Sequence, residues 1–140
     1  ELGAISAGAN NDQIVKVRDY GRLIGRAFQI QDDLLEIFSD AKNMGKSLES
    51  DLLLGKKTYL MIQANEYFPS ELNSAIKLAK EDYNLGLIKV RNLIIDSGII
   101  NTAKEKIKTT IKEANLLLDE LNIDVEKLSF FSNLIVNRGK

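Results

Sequence analysis

The stretch FQIQDDLLEIFSD, residues 28–40, sets three carboxylates, Asp32, Asp33 and Glu36, on a segment whose other residues read as buried helix. At about 100° per residue, Gln29, Asp32, Asp33 and Glu36 fall within about 100° of one another, and Asp40 joins them if the helix reaches that far. Asp32–Glu36 is an i,i+4 pair and Asp33–Glu36 an i,i+3 pair; like charges so spaced cost an isolated helix roughly 0.2–0.5 kcal/mol. No basic residue answers the trio in the turn that follows. Most acidic strips simply face water, and on spacing alone that reading stands beside a cation site. Lysines gather just beyond, in GKSLESDLLLGKKT, where Lys46, Lys56 and Lys57 flank Asp51. Taken singly, they too read as solvated loop charge. Together, the two clusters supply what a metal–diphosphate ligand requires. Magnesium takes one or two carboxylates, waters and phosphate oxygens, and lysine adds a point charge for phosphate.

Composition narrows the chemistry further. The 140 residues contain no cysteine and no histidine, so disulfides, thiolate sites, a cysteine nucleophile and the commonest general base are all excluded. Metal chemistry must then use oxygen ligands, which favours magnesium or calcium over zinc. With 28% charged and 44% hydrophobic residues and a formal charge of −1, the chain suits folded protein rather than disorder. Near-neutral balance gives no concentrated basic surface for nucleic acid. No apolar run approaches the ~20 residues that span a bilayer, and no secretory signal is visible, so the expected location is cytoplasmic.

The elements that must position these side chains are helices. Proline occurs once, at Pro69, and β-branched alternation is nearly absent. Residues 11–38 form the longest pattern, with Tyr20, Ile24, Ala27, Gln31, Leu35 and Phe38 at helical spacing and Val17, Phe28 and Leu34 widening the stripe. A loop punctuated by Gly45 and Gly55 follows. Further helices are expected over about 56–67, from an N-cap at Ser70 to about Glu81, and over about 83–96 with a left-handed stop at Gly98. Another is expected over 99–121, with Ala103, Ile107, Ile111, Ala114, Leu117, Leu118 and Leu121 inward and Lys104, Lys106, Lys108 and Lys112 outward. Asp124 then caps a last helix whose tail is basic at Arg138 and Lys140. The small residues Gly3, Ala4, Ser6, Ala7 and Gly8 are expected to pack closely. The expected organisation is one helical unit over 1–140, the C-terminal part of something longer.

At this point the residues resemble a known family. The run Phe28-Gln29-x-x-Asp32-Asp33, then Gly45-Lys46, Asp51 and Gly55-Lys56-x-Thr58, is similar to the second aspartate-rich region of the trans-isoprenyl diphosphate synthases, or polyprenyl synthetases. The likeness extends through IIDSGIINTAKEKIKTTIKEA to the terminal NLIVNRGK. The resemblance implies an all-α fold, the C-terminal portion of an isoprenoid-synthase-type helical bundle around a central cavity. It implies a homodimeric, magnesium-dependent prenyltransferase that ionises an allylic diphosphate and joins it to isopentenyl diphosphate. Carried over by residue, Asp32 coordinates magnesium, with Asp33 and Glu36 acting directly or through metal-bound water. Lys46 and Lys56 contact the allylic diphosphate, Asp51 supports the metal shell and Gln29 orients the site. Arg138 stands where a basic tail closes over isopentenyl diphosphate in some members.

Glu36 stands in place of the family's third aspartate, Glu49 where many members have glycine, and Leu60 where many have proline. The first aspartate-rich motif and its arginines are not among these residues, so the chain alone is expected to be inactive. A non-catalytic partner subunit keeping the same fold is the alternative. Terpene cyclases also bind diphosphate through metal, but the FQIQDD block with its downstream lysines fits chain elongation better.

Overall fold

The computed structural model describes residues 1–38 and 57–137, with side chains described except at 36–38 and 136–137. The described residues form seven helices and no strand. They are α1 (Leu2–Ser6), α2 (Asn11–Phe38), α3 (Tyr59–Tyr67), α4 (Pro69–Glu81), α5 (Tyr83–Asp96), α6 (Ile99–Asp119) and α7 (Glu126–Asn137). The chain divides into two compact units, one of residues 1–31 and 105–140 and one of residues 32–104.

In the first unit, α2 starts where Asn10 and Gln13 close a reciprocal capping box. The Gln13 amide donates to Asn10 Oδ1 at 3.0 Å, and the Asn10 amide donates to Gln13 Oε1 at 3.1 Å. Tyr20 anchors the packing. It is buried with Ala114, Leu118 and Leu121, and Val17, Leu23, Val125 and Leu128 close around them. Its hydroxyl donates to the Leu128 carbonyl at 2.5 Å and lies 3.1 Å from Ser132 Oγ, tying α2 to two successive positions of α7. Lys16 bridges Asp12 at 2.9 Å and Glu120 at 3.3 Å, and those two bonds raise its pKa. Thr110, by contrast, is 1% exposed, and its Oγ1 has no hydrogen-bond partner among the described residues.

The second unit is organised by a close helix pair. Gly86 of α5 lies against Ala79 of α4, so near that a Cβ on Gly86 would fall on the Ala79 backbone. The turn between them is short because Asp82 caps α5, accepting the Leu85 amide at 3.1 Å. Gly98, at φ 80°, supplies the left-handed residue between α5 and α6. Leu60, Ala64, Leu72, Ala75, Val90 and Ile94 are buried in this unit.

Several expectations need correction. The second expected helix begins at Tyr59 rather than near Lys56, because Thr58 is its N-cap. Ser70 is not a cap: α4 starts one residue earlier with Pro69 at its head, where a missing N–H costs nothing. The buried line of α2 is Tyr20, Ala27, Ile30 and Leu34, while Phe28 is 37% exposed, so the stripe is rotated away from Phe28. α6 stops at Asp119, two residues before Leu121. The expected Asp124 cap, by contrast, is present: its carboxylate accepts the Glu126 amide at 3.0 Å, and α7 opens at Glu126. None of the residues of α1 is buried, contrary to the close packing expected of the small-residue stretch.

Two stability measurements test this packing. Gly86→Ala gains about 1 kcal/mol of helix propensity, yet the clash with backbone is expected to outweigh it and lower stability by about 1–3 kcal/mol in urea denaturation. Thr110→Val keeps shape and β-branching while removing an unpaired buried hydroxyl. It is expected to raise stability by about 1 kcal/mol in the same experiment.

Candidate functional site

The acidic end of α2 carries Asp32 and Asp33, both half-buried, at the start of the second unit. Asp33 Oδ2 accepts the backbone N–H of Tyr59, the first residue of α3, at 2.9 Å. Thr58 Oγ1 accepts the Met61 amide at 3.4 Å, so two of the donors left over at the head of α3 have oxygen partners. The arrangement is also favourable electrostatically, since a helix N-terminus carries partial positive charge and Asp33 brings a carboxylate to it. Tyr59 itself is partly buried; that burial, helped by nearby Tyr67 and Glu66, pushes its phenol pKa up. Leu60, the residue found where the family pattern has proline, is 1% exposed and serves the core of this unit.

Of the residues singled out in the sequence, Gln29 is exposed on α2, in the first unit. The backbone of Glu36 belongs to α2, but its side chain lies outside the described residues, as do Lys46, Asp51, Lys56 and Arg138. Lys57 is exposed immediately before the Thr58 cap. Asp32 and Asp33 are therefore the part of the expected site whose side chains are described. Among the described residues no group of three acidic side chains comes together.

The donor set fits magnesium in kind. Carboxylate oxygens are hard ligands, and magnesium commonly uses only one or two of them, completing its octahedron with water and phosphate oxygen. Asp32 can serve in that way. Asp33 offers a carboxylate of the same kind, one of whose oxygens already accepts the Tyr59 amide. The tie between Asp33 and α3 has no signature in the acidic run itself. Its only sequence signal is Thr58, which reads as an N-cap once the start of α3 is moved past Lys57.

Comparison with known proteins places the chain. Over 99% of its length it is 29% identical to the geranylgeranyl diphosphate synthase of Sulfolobus acidocaldarius, covering 44% of that protein. It is 32% identical to the geranylfarnesyl diphosphate synthase of Aeropyrum pernix, covering 99% of this chain and 45% of that one. The crystal structure of geranylgeranyl pyrophosphate synthetase from Pyrococcus horikoshii Ot3 superposes with a TM-score of 0.75 at 31% identity, covering 94% of this chain and 41% of the other. The chain thus spans under half the length of these relatives. The fold is that of the helical isoprenyl synthases, and no described helix is long and apolar enough to cross a membrane. Residues 1–88, which hold the whole run from Phe28 to Thr58, match the polyprenyl synthetase family, and the chain belongs to that family.

Proposed function

We propose that this chain forms the second aspartate-rich wall of a trans-prenyltransferase site that joins an allylic diphosphate to isopentenyl diphosphate, and that it does not turn over alone. The observation that carries the reading is the half-buried Asp32–Asp33 pair, with Asp33 fixed to the head of α3 at 2.9 Å, inside the stretch matched to the family. A carboxylate held in place by a backbone amide can meet a hard cation with little reorganisation, which is the condition for electrostatic catalysis.

In this reading Asp32 holds magnesium directly, and Asp33 and Glu36 hold it directly or through water. Bound magnesium would supply Lewis-acid stabilisation of the departing diphosphate. Lys46 and Lys56 contact the allylic diphosphate as point charges, Asp51 supports the metal-binding carboxylates, and Gln29 orients the group. The allylic C–O bond breaks, and its electron pair leaves with diphosphate. The double bond of isopentenyl diphosphate then attacks the allylic carbon, and the proton lost from the adduct passes to diphosphate. No histidine or cysteine is needed for that sequence, and the chain has neither. Arg138 closes over isopentenyl diphosphate, and the working protein is a homodimer.

A chimera carrying residues 1–140 in place of the matched stretch of the Sulfolobus acidocaldarius synthase tests the reading. With magnesium and both diphosphates it is expected to form product, and Asp32→Ala is expected to lower kcat about 100- to 1,000-fold. Undiminished turnover in that variant would remove the assignment.

Asp33 separates into two roles by substitution. Asp33→Asn keeps an oxygen for the Tyr59 amide and is expected to leave stability within about 0.5 kcal/mol, whereas Asp33→Ala is expected to cost about 1–2 kcal/mol. Both variants are expected to slow the chimera. Normal turnover by Asp33→Asn would confine Asp33 to holding α3.

A further inference from the structure

Helix α5 is apolar on two faces. Gly86, Val90 and Ile94 form the stripe buried in its own unit. On the opposite side Leu85 is 53% exposed, Ile88 53% and Ile95 42%. With Asn92, also exposed, they recur at spacings of three, four and three, on a line about 180° round the helix from the buried one. A helix on the surface of a folded unit ordinarily turns polar and charged residues to that side. This one turns out a seam with the a and d pattern of a coiled coil, Leu85 and Asn92 at a, Ile88 and Ile95 at d.

The flanking charges fit a second α5 running in the same direction. In a parallel pair, a residue at g meets the residue at the e position of the following heptad on the other helix. Arg91 is at g and Asp96 at e, five residues on, so a two-fold pair makes the Arg91–Asp96 contact twice. Lys89, at the other e position, meets Asn84 rather than a like charge, and its ammonium donates to Ser74 Oγ of its own unit at 3.0 Å. An antiparallel pair that stacks all four seam residues is worse, because it sets Lys89 beside its own counterpart and Arg91 beside its own. Asn92 falls beside its own counterpart in the parallel seam, where amide pairs with amide. A single Asn at a fixes register and holds two strands, against the larger bundles that Leu at a with Ile at d favours in free helices.

We propose that the outer face of α5 is a contact between two copies of this chain, paired in parallel about a two-fold axis along the seam of Leu85, Ile88, Asn92 and Ile95. A lipid surface fits this face poorly, since it would take the Asn92 amide and the exposed Asp96 carboxylate out of water without partners. Two heptads are short for free peptides, but α5 is already folded against α4, so pairing does not have to order it. The inference uses none of the chemistry proposed above.

The test uses this chain alone, without magnesium or diphosphate, and reads association by sedimentation velocity. Wild type is expected to form a dimer that weakens as salt is raised. Ile88→Asp is expected to weaken it about 100-fold or more and Asp96→Arg about tenfold, each with an unchanged circular dichroism spectrum because both positions are exposed in the single chain. The chain has no cysteine, so Asn92→Cys reports the register. Oxidation with copper–phenanthroline is expected to link two copies through residue 92 much faster than through Asn84→Cys, which lies off the seam. The proposal is overturned if wild type is a monomer, if Ile88→Asp leaves the dimer intact, or if the two cysteine variants crosslink at the same rate. A monomer that binds phosphatidylglycerol vesicles through Ile88 assigns the face to lipid and overturns it equally. Turnover of the chimera is read separately: an inactive chimera removes the catalytic reading alone, and a monomeric chain removes the α5 contact and leaves the proposed chemistry standing.

Discussion

The acidic end of α2 is held by the hydrogen bond from the Tyr59 amide to Asp33 Oδ2, and much of the second unit's local geometry follows from it. A helix N-terminus leaves its first amides without intrahelical partners. Here one is taken by a carboxylate from twenty-six residues earlier in the chain and another by Thr58. The bond therefore fixes the direction in which α3 departs, and Leu60 and Ala64 reach the core of this unit from that start. It also fixes Asp33, since a carboxylate aimed at a helix head is favoured by both hydrogen bonding and the helix dipole. Asp32, one residue before, is carried in the same rigid backbone. Thus the contact that joins α2 to the head of α3 is also the one that orients Asp33.

How much of this could be read from residues alone depended on whether a signal was local. The bounds of α2 followed from apolar periodicity and the end of α5 from Gly98, while the Asn10–Gln13 box and the Asp82 cap at their heads emerged only with the structure. The starts of α3 and α4 were misplaced for a common reason. At each, a capping or helix-starting residue, Thr58 or Pro69, moves the boundary by one to three residues, a scale that apolar spacing does not resolve. The rotation of the α2 stripe, with Ile30 buried and Phe28 exposed, was not legible because periodicity gives a face's width better than its centre. The family was legible from the spacing of Phe28, Gln29, Asp32, Asp33 and the downstream Gly-Lys pairs. The Asp33–Tyr59 contact was not, because it joins distant residues and the acidic run looks the same with or without it.

Charge is sorted along α2 in a way that bears on both ends of the helix. Its middle carries Arg18, Arg22 and Arg26 with Asp19 between them, and its C-terminal third carries Asp32, Asp33 and Glu36. Such segregation runs against the helix dipole, which prefers acids near the N-terminus and bases near the C-terminus. A helix optimised only for its own stability would reverse it. Asp33 offsets part of that cost where it meets the opposing dipole at the head of α3.

The glycines of α2 make a parallel case for the first unit. Gly21 and Gly25 lie inside a 28-residue helix, where each costs about 1 kcal/mol relative to alanine. Neither has positive φ, so no turn requires them. Neither is crowded, since a Cβ at either site meets nothing among the described residues within 4 Å. Gly86 shows the other situation: there the cost is offset by close contact with Ala79, and the packing partner is visible. Gly21 and Gly25 thus lower the helix propensity of α2 without a close contact among the described residues, whereas Gly86 accepts the same cost in exchange for one.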